Sequence, residues 1–401
     1  MTEHKAQGGG AAPRISPDHI PFDAARLDRL MEEAELDALI VTSKHNIQYL
    51  LGGYRYFFYS FADAHGLSRY MPALIYVRGK PDAAAYIGSP METYEKDHGK
   101  FWVPETHFAN MTVEQYAGSA ARHLKGLDGA ARRIGVEMDF LPAAAWQVLR
   151  ADLDGAELVN ANVVLELLRA VKTPAELAIL RTASERVVDS MLAVFAAGRE
   201  GLSKHDLSDM LAREEAARGL HFEYALINMG TVFNRAPSGQ TWQGGDILAL
   251  DSGGNYKGYI GDLCRMGILG EPDAELEDLL GEVEAIQQAA RRPIRAGTRG
   301  GDIYTEPVAM VARSRNRDRL DFVAHGMGIV GHEAPWLTDR CSVPYPAYHA
   351  NRPLEAGMVI SIETTLAHPK RGFVKLEDTI AVTETGWDSF GDHGRGWNRV
   401  G

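Results

Sequence analysis

The sequence has few cysteines and no spacing among them that suggests a disulfide framework. Only Cys264 and Cys341 occur in 401 residues. Small secreted domains that depend on disulfide bonds carry many closely spaced cysteines, so that class of protein is excluded. The low cysteine content favours a reducing compartment, and we predict a cytoplasmic protein.

Further absences narrow the range of partners. No apolar run approaches the roughly 20 residues that a membrane-spanning helix needs. The first 20 residues are polar and rich in glycine, without the apolar segment of a signal peptide, and we expect a flexible leader there. Basic residues form no stripe and the net charge is −12. The sequence therefore predicts a protein that binds neither membranes nor nucleic acids.

The order of apolar and polar segments predicts two domains. Strand-like and helix-like segments alternate as far as about residue 155, which predicts an open, largely parallel sheet with helices. The pattern changes at Thr173, which together with Pro174 and Glu176 has the order of an N-cap, a first turn and a capping box. Long helices and antiparallel strands follow. We predict a leader over residues 1–20, an α/β domain over residues 21–162 and an α+β domain over residues 163–401.

Two aspartates interrupt apolar strands in ILALDSGGNYKGYIGDLCRMG, residues 247–267. Asp251 and Asp262 lie eleven residues apart. This odd spacing predicts a hairpin in which the two residues are directly opposite, with both carboxylates on one face of the sheet. Facing carboxylates repel each other, so such a pair needs a metal ion, a shared proton or solvent. A solvated hairpin with two incidental acids is the alternative.

More acidic and imidazole side chains follow in loop and strand positions. His325 and His332 lie in VAHGMGIVGHEAP, and Glu363 and Glu377 lie in GMVISIETT and GFVKLEDTIAVTE. Each could face water at a sheet edge, but a carboxylate is rarely buried in a strand without a partner. Four carboxylates and a histidine make an oxygen-rich donor set that suits Mn²⁺, Co²⁺, Fe²⁺ or Zn²⁺, and bridging carboxylates can hold two ions. The candidate metal ligands are Asp251, Asp262, His325, Glu363 and Glu377.

These residues, in this order, resemble the pita-bread metalloenzyme family, which includes methionine aminopeptidase, aminopeptidase P, prolidase and creatinase. DSGGNYKGYIGDLCR resembles the family's DxG…GYxxDxxR hairpin, and HGMGIVGHEAP resembles its HGxGxxxHExP loop. LEAGMVISIE and KLEDTIAVTETG are similar to its last two ligand-bearing strands. The resemblance covers about residues 165–390. LDALIVTSKHNIQYLLG is similar to the N-terminal domain of prolidase, aminopeptidase P and creatinase, which methionine aminopeptidase lacks.

The resemblance implies a creatinase-like N-terminal domain and a pita-bread catalytic domain. It also implies a dinuclear metal-dependent hydrolase of a peptide or small-amide C–N bond, similar to Xaa-Pro dipeptidase or aminopeptidase. Two divalent ions are expected, Mn²⁺ first, with Co, Fe or Zn as alternatives. Creatinase has lost its metal ligands, whereas this sequence keeps all five, which favours metal chemistry.

The resemblance also implies roles for single residues. Asp251, Asp262 and Glu377 would bridge or ligate the two ions, and His325 and Glu363 would complete one site. Attack would come from a metal-bridging hydroxide. Two residues, Glu363 and His332, would be catalytic. Glu363 would pass the proton to the leaving nitrogen. His332 would donate a hydrogen bond to the carbonyl oxygen as charge develops there.

Three positions depart from the family's pattern. Ser238, in FNRAPSGQ, stands where the family's peptidases usually carry a histidine, and a hydroxyl is no general base at neutral pH. Lys375 replaces an arginine two residues before the last ligand. The lysine ammonium is a point charge, whereas an arginine guanidinium can bind a carboxylate through two parallel hydrogen bonds. IETT, residues 362–365, replaces the usual IEP. We expect altered substrate preference, with Ser238 and Lys375 as substrate contacts; neutral drift is the alternative.

Two aromatic-rich segments are further candidates for contacts. In GGYRYFFYSF, the residues Tyr54, Arg55 and Tyr56 form either an interdomain core segment or a lip that a second subunit places over the active site, as in creatinase-like dimers. The loop EAPWLTDRCSVPYPAYH is predicted to wall the pocket. The resemblance further implies a small-molecule or short-peptide substrate and a homodimer. The loop's candidate contacts are Trp336, Arg340, Tyr345, Tyr348 and His349.

Two other functions stay open on the sequence. A metal-dependent lyase of the dimethylsulfoniopropionate-cleaving type also reads KLED in its last strand and lacks the proline after the Glu363 position. That branch tends to carry a further acid two residues after the first aspartate, where this chain has Gly253. A non-catalytic binding protein on the same fold is the third alternative. The intact ligand set disfavours it, because facing acids cost stability without a metal.

Overall fold

The structure, a computed structural model, describes residues 20–58, 64, 70–129, 131–339 and 346–401. It divides into two compact units, Met1–Leu168 and Arg169–Gly401. The predicted leader, apart from its last residue, lies outside the described residues. Across the described ranges, no helix combines the length and the apolar character needed to cross a membrane.

The first unit is built on a six-stranded sheet with helices. Its strands are β1 Ala38–Val41, β2 Ala73–Val77, β3 Ala85–Ile87, β4 Glu105–His107, β5 Arg133–Val136 and β6 Glu157–Asn160. Its helices are α1 Ala24–Glu33, α2 Lys44–Leu50, α3 Thr93–Asp97, α4 Val113–Gly126, α5 Ala143–Asp152 and α6 Asn162–Arg169, with 3₁₀ turns at Pro81–Ala83 and Pro90–Glu92. The strand order is β4-β3-β2-β1-β5-β6.

The strand pairing corrects the prediction of a largely parallel sheet. The pairs β1–β5, β5–β6 and β3–β4 are parallel, whereas β1–β2 and β2–β3 are antiparallel. Only residues 78–84 join β2 to β3. A connection this short cannot carry the chain back for a parallel crossover, so the two strands pair as a hairpin. The α/β class is confirmed, but the sheet is mixed.

The core of the first unit follows from its apolar pattern. All four residues of β1 are buried. Helix α4 begins at the N-cap Thr112, whose side chain accepts a hydrogen bond from the backbone N–H of Gln115. Its Tyr116, Ala120 and Leu124, at helical spacing, join the same buried cluster as Ile40 of β1.

The second unit is an eight-stranded sheet covered by long helices, which confirms the α+β class. Its strands are β7 His221–Met229, β8 Ile247–Tyr256, β9 Tyr259–Leu269, β10 Leu320–Gly326, β11 Val359–His368, β12 Gly372–Val382, β13 Trp387–Phe390 and β14 Asn398–Val400. Its helices are α7 Pro174–Ala196, α8 Lys204–Ala217, α9 Ala274–Arg291 and α10 Thr305–Arg313, with a 3₁₀ turn at Gly300–Tyr304. The main strand order is β10-β11-β12-β9-β8-β7, with β13 beside β12 and β14 beside β9.

Helix α7 begins as its sequence predicts. The Thr173 side chain accepts a hydrogen bond from the backbone N–H of Glu176, whose carboxylate accepts one from the backbone N–H of Thr173. The helix lies close to β9 at Gly261, where a Cβ would be 2.7 Å from the backbone carbon of Ala183. Only glycine allows this approach of helix to strand.

The β8–β9 hairpin carries the two aspartates, in a register that differs from the predicted one. The hairpin closes through residues 257–258, whose φ angles of 52° and 92° are typical of a two-residue type I′ turn. Asp251 lies opposite Cys264, and Asp262 lies opposite Gly253. The prediction that the aspartates are directly opposite is therefore wrong by two residues. They still share one face, because residues two apart on a strand point the same way.

The opposite face of β12 is fixed by a buried group of charges. Asp378 directly follows Glu377 and therefore points away from it. Its carboxylate is within 3.1 Å of Arg265, 3.0 Å of Arg291 and 2.5 Å of Arg395. Burial opposes ionisation, but the three guanidinium groups outweigh it and hold the pKa of Asp378 at about 2. This network holds the strand that carries Glu377.

A second buried acid lies behind β8. Glu215, on α8, is fully buried, and its Oε1 accepts a hydrogen bond from the Ser252 hydroxyl at 2.8 Å. Its Oε2 has no hydrogen-bond partner within the described ranges. Burial raises the pKa of Glu215 to about 8. Glu215 is therefore protonated at neutral pH.

This raised pKa predicts a pH-dependent stability. The ordinary pKa is 4.5, so the stability that protonated Glu215 contributes is intact below pH 4.5 and is lost as the pH rises to about 8. Glu215→Gln keeps the acceptor and cannot ionise. Between about pH 5 and about pH 8 we expect it to gain up to about 4 kcal/mol of unfolding free energy relative to wild type. Urea unfolding of both proteins across this range, with the exposed Glu277→Gln as control, measures the gain. A difference that does not change with pH would contradict it.

Candidate metal centre

Side chains from four neighbouring strands form a row across one face of the larger sheet. Glu363 on β11 lies opposite Glu377 on β12, Glu377 opposite Cys264 on β9, and Cys264 opposite Asp251 on β8. Asp262 is two residues from Cys264 and shares its face. Burial and Asp251 raise the pKa of the Cys264 thiol, which stays neutral. The sheet register alone thus brings four carboxylates together.

The predicted ligands approach one another closely enough to share metal ions. In each of three groups the donor atoms all lie within 4.8 Å of one another: Asp251, Asp262 and Glu377; His325, Glu363 and Glu377; and Asp262, His325 and His332. Glu363 is half-buried and His332 exposed, while the others are buried. The structure therefore brings together all five predicted ligands and His332.

His325 has the orientation of a metal ligand. Its Nδ1 lies 3.1 Å from the carbonyl oxygen of Gly326, and a carbonyl only accepts, so Nδ1 carries a proton. Its Nε2 is buried and faces Glu363 Oε1 at 3.3 Å and Glu377 Oε1 at 3.9 Å. A metal-bound histidine commonly donates its other N–H to a carbonyl in this way. The ring is therefore set to offer Nε2 to a cation.

Two basic side chains of the protein also reach the row. The Lys375 ammonium lies 2.6 Å from Asp251 Oδ2, 2.7 Å from Glu363 Oε2 and 2.8 Å from Glu377 Oε2. Lys375 is buried, so it is a neighbour of the ligands rather than a residue facing open solvent. Arg235 forms an ion pair with Asp251.

The carboxylates outnumber these cations, and their pKa values reflect the imbalance. Burial and Asp251 raise the pKa of Asp262 to about 7, and burial with Asp262 raises the pKa of Glu377 well above its usual value. Burial opposes the ionisation of Glu363, but Lys375 outweighs it and holds the pKa of Glu363 low. A group with more buried acids than bases fits an added divalent cation, and the donor set suits a hard or borderline metal.

Tyr224, on β7, orients Asp262. Its hydroxyl donates a hydrogen bond to the Asp262 carboxylate, and burial followed by Asp262 raises the pKa of Tyr224. The ring lies over Gly253, where a Cβ would be 2.3 Å from Tyr224 Cε1. Position 253 therefore admits no side chain while Tyr224 holds this place.

We expect Gly253→Ala to weaken metal binding by displacing the Tyr224 ring from Asp262. Loss of a hydrogen-bond partner of a ligand typically lowers metal affinity by about 10–100-fold. Titration of metal-stripped protein with Mn²⁺ in a calorimeter gives the affinity. Gly386→Ala is the control, because a Cβ there meets nothing within 4 Å. Equal affinities for the two variants would show that Tyr224 does not orient the ligand.

Glu333 anchors the loop that carries His332. Its carboxylate accepts hydrogen bonds from Arg169 at 3.0 Å and from Lys172 at 3.0 Å, with all three side chains buried. Its backbone N–H donates to the carbonyl oxygen of Gly326 at 2.9 Å. The loop thus returns to the end of β10 directly after His325.

This return places His332 beside a metal ligand. The His332 and His325 rings stack, with centroids 3.8 Å apart. Loss of hydration and the neighbouring His325 lower the pKa of His332 to about 4. His332 is therefore neutral at pH 7, a form in which one of its two ring nitrogens carries a proton.

The predicted substrate contacts of the second unit differ in burial and in hydrogen-bond partners. Ser238 is half-buried in its own loop, where its hydroxyl accepts a hydrogen bond from the backbone N–H of Gln240 at 3.4 Å. Trp336 is buried and exchanges two hydrogen bonds with His349, at 3.0 Å and 2.7 Å. Tyr348 lies beneath the Arg352 guanidinium. The predictions for Arg340 and Tyr345 fall outside the described residues.

The predicted contacts of the first unit lie in an aromatic cluster of that unit. The Tyr54 ring packs edge-on against Phe101 at 4.9 Å, and its hydroxyl donates to Glu92 at 2.9 Å. Tyr56 is buried and Arg55 is half-buried. These contacts agree with a packing role, and the lip over a partner's active site stays a prediction.

Sequence reasoning missed three residues of the site. Tyr224 reaches Asp262 from β7, and Arg235 reaches Asp251 from the loop between β7 and β8; composition reveals neither contact. A signal existed for Arg235, since it precedes Ser238 by three residues in the segment that departs from the family. Glu333 lies in HGMGIVGHEAP, which resembles the family's HExP pattern, but the pattern alone does not indicate its role.

Comparison with known proteins identifies two family patterns in the chain. Residues 178–384 match Metallopeptidase family M24, and residues 24–171 match the Creatinase/Prolidase N-terminal domain. These matches confirm the predicted resemblance and both parts of the predicted fold.

Individual relatives are distant but cover most of the chain. The uncharacterized peptidase YqhT of Bacillus subtilis is 24% identical over 369 residues, 90% of this chain and 95% of the relative. The Xaa-Pro dipeptidase of Pyrococcus horikoshii is 23% identical over 328 residues, 79% and 89% of the two chains. The solved Xaa-Pro dipeptidase from Bacillus anthracis has a TM-score of 0.78 at 21% identity, over 94% of this chain and 99% of its own. The structural likeness shows a shared fold.

Proposed function

Since the chain belongs to metallopeptidase family M24, we propose that it is a metal-dependent hydrolase that cleaves the C–N bond of Xaa-Pro dipeptides or of a similar small amide. The observation that carries this proposal is the row of four carboxylates on adjacent strands, completed by a histidine whose buried Nε2 faces them. Names of relatives that include Xaa-Pro dipeptidase support the substrate class.

The residues that would hold the metal are Asp251, Asp262, His325, Glu363 and Glu377. A divalent ion supplies, when bound, a water of lowered pKa and a polarised substrate carbonyl. We propose Mn²⁺ as the ion because the donor set is rich in carboxylates. The family resemblance sets the expected number of ions at two.

Two side chains at the row would handle the proton and the developing charge. Glu363 is the most accessible of the four acids: its side chain is 16% exposed, against 4% for Asp251 and 2% for Glu377. It is therefore placed to accept the proton that the attacking water releases and to pass that proton to the leaving nitrogen. His332 is neutral and can donate its N–H to the carbonyl oxygen where negative charge develops.

The alternatives have less support. The lyase branch tends to carry an acid at position 253, where a Cβ of any residue would collide with Tyr224 in this structure. A binding protein without catalysis would have to keep several buried acids together without using them, at a cost in stability. The hydrolase is the function that we retain.

A substrate panel tests the proposal. Mn²⁺-loaded protein and a metal-stripped control are incubated with Xaa-Pro dipeptides, Xaa-Pro-Yaa tripeptides and Xaa-Ala dipeptides. We expect metal-dependent release of free proline from the Xaa-Pro dipeptides. Metal-loaded protein that releases no product from any peptide would contradict the peptidase, and sulfonium-acid cleavage and small amides would then be tested.

We also propose that the protein is a cytoplasmic homodimer. The dimer is supported by the resemblance of the first unit to the creatinase-type N-terminal domain, and the compartment by the low cysteine content. Sedimentation measures the mass in solution. A monomeric species with full activity would contradict the dimer.

A further inference from the structure

The Lys375 ammonium lies among carboxylate oxygens of three predicted metal ligands. Its Nζ is 2.6–2.8 Å from one oxygen each of Asp251, Glu363 and Glu377. Lys375 is 2% exposed, so these contacts are shielded from solvent. Three of the five predicted ligands thus already share a cation that belongs to the chain.

These contacts occupy the oxygens that a metal ion would use. Metal–oxygen bonds to carboxylates are about 2.0–2.2 Å long for Zn²⁺ and similar ions. An ion bonded to two of the oxygens that contact Lys375 would lie against the ammonium, and both groups are positively charged. Lys375 and an ion therefore exclude each other from this position.

The remaining donor atoms lie together on the side of His325. They include His325 Nε2 and the second oxygens of Glu363 and Glu377, which face it at 3.3 Å and 3.9 Å. Asp262 also belongs to a group with His325 whose donor atoms lie within 4.8 Å. One divalent ion can be held here without moving Lys375.

The charges lead to the same number of ions. When all four carboxylates are ionised, as metal ligation requires, they carry four negative charges, and Lys375 with Arg235 supplies two positive ones. A single divalent ion balances the remaining two. A second ion beside Lys375 would leave a buried excess of positive charge, which is unfavourable in a low-dielectric site.

We propose that Lys375 takes the place of one of the two metal ions, so that this chain holds a single divalent ion, on the His325 side of the row. The resemblance leads one to expect an arginine at this position. The arginine guanidinium is a larger, planar group, whereas the lysine ammonium is a compact charge that fits among three carboxylates. The inference rests on the proposed function only in taking the bound ion to be the hydrolytic one.

The number of bound ions tests this inference. Wild type, Lys375→Met and Lys204→Met are stripped of metal, equilibrated with excess Mn²⁺, passed over a desalting column and analysed for manganese per chain. Lys204→Met is the matched control, because Lys204 is also buried but donates to a backbone carbonyl oxygen, that of Asn234, and not to a carboxylate of the row. We expect one ion in wild type and Lys204→Met, and two in Lys375→Met.

Electron paramagnetic resonance of the same samples supplies a second readout. An isolated Mn²⁺ ion is expected in wild type, and an exchange-coupled pair in Lys375→Met. If the Lys375→Met protein does not fold, the number of manganese ions per wild-type chain still tests the inference. Two ions in wild type overturn the inference and leave the proposed function standing, and no ion overturns both. One ion without cleavage of any peptide supports the inference and contradicts the proposed function.

Discussion

Glu363→Gln is expected to slow turnover by about 10²–10⁴-fold, the usual effect of removing a general acid or base. Glu363 is the only one of the four acids in the row that is not fully buried. Its two oxygens face Lys375 at 2.7 Å and His325 at 3.3 Å, so its orientation is fixed. Glutamine keeps the shape but cannot transfer a proton. Steady-state rates on an Xaa-Pro dipeptide measure the effect.

Glu363 is also a candidate ligand, so the metal content must be measured with the rate. A fall in kcat at unchanged manganese content assigns the loss to proton transfer. A fall in both assigns it to metal binding. The exposed Glu384→Gln is the control and should keep its rate. A Glu363→Gln protein within about threefold of wild type would contradict both roles, since that is roughly 0.6 kcal/mol of barrier.

Lys375→Met is expected to destabilise the metal-free protein by about 3–5 kcal/mol, as removal of one partner from a buried ion pair does. Lys375 is the cation that contacts Asp251, Glu363 and Glu377 together. Without it these acids must take up protons or repel each other. Added Mn²⁺ should recover most of the loss, because an ion then replaces the ammonium.

Thermal unfolding with a chelator and with excess Mn²⁺ measures this difference. For a unit of this size, the loss corresponds to a fall in the melting temperature of roughly 6–20 °C with chelator. Lys204→Met should show an effect that is the same with and without Mn²⁺. If the Lys375→Met protein were as stable as wild type in chelator, the ammonium would not be a structural cation.

The parts of the site that lie within one strand could be predicted from the sequence. An acid inside an apolar strand needs a partner, and this pattern points to Asp251, Asp262, Glu363 and Glu377 from each strand alone. The capping box at Thr173 is equally local. Patterns of this kind depend on residues a few positions apart.

The parts that depend on pairing between distant strands could not be predicted. The exact register of Asp251 and Asp262 follows from the two-residue turn of the β8–β9 hairpin. The sheet of the first unit is mixed because β2 pairs antiparallel with both β1 and β3. The sequence predicts Lys375 as a substrate contact, because its spacing places it near a ligand but does not show where its long side chain ends. Its contact with Asp251 spans 124 residues. Such contacts arise only when the whole sheet is assembled.

The central claim is that a divalent ion bound by the carboxylate row drives hydrolysis of a C–N bond. Its most direct test is to titrate metal-stripped protein with Mn²⁺ while following release of proline from an Xaa-Pro dipeptide. We predict no release without metal, and a rate that rises in proportion to Mn²⁺ until about one ion is present per chain. A metal-stripped protein that cleaves as fast as the Mn²⁺-loaded protein would contradict the account.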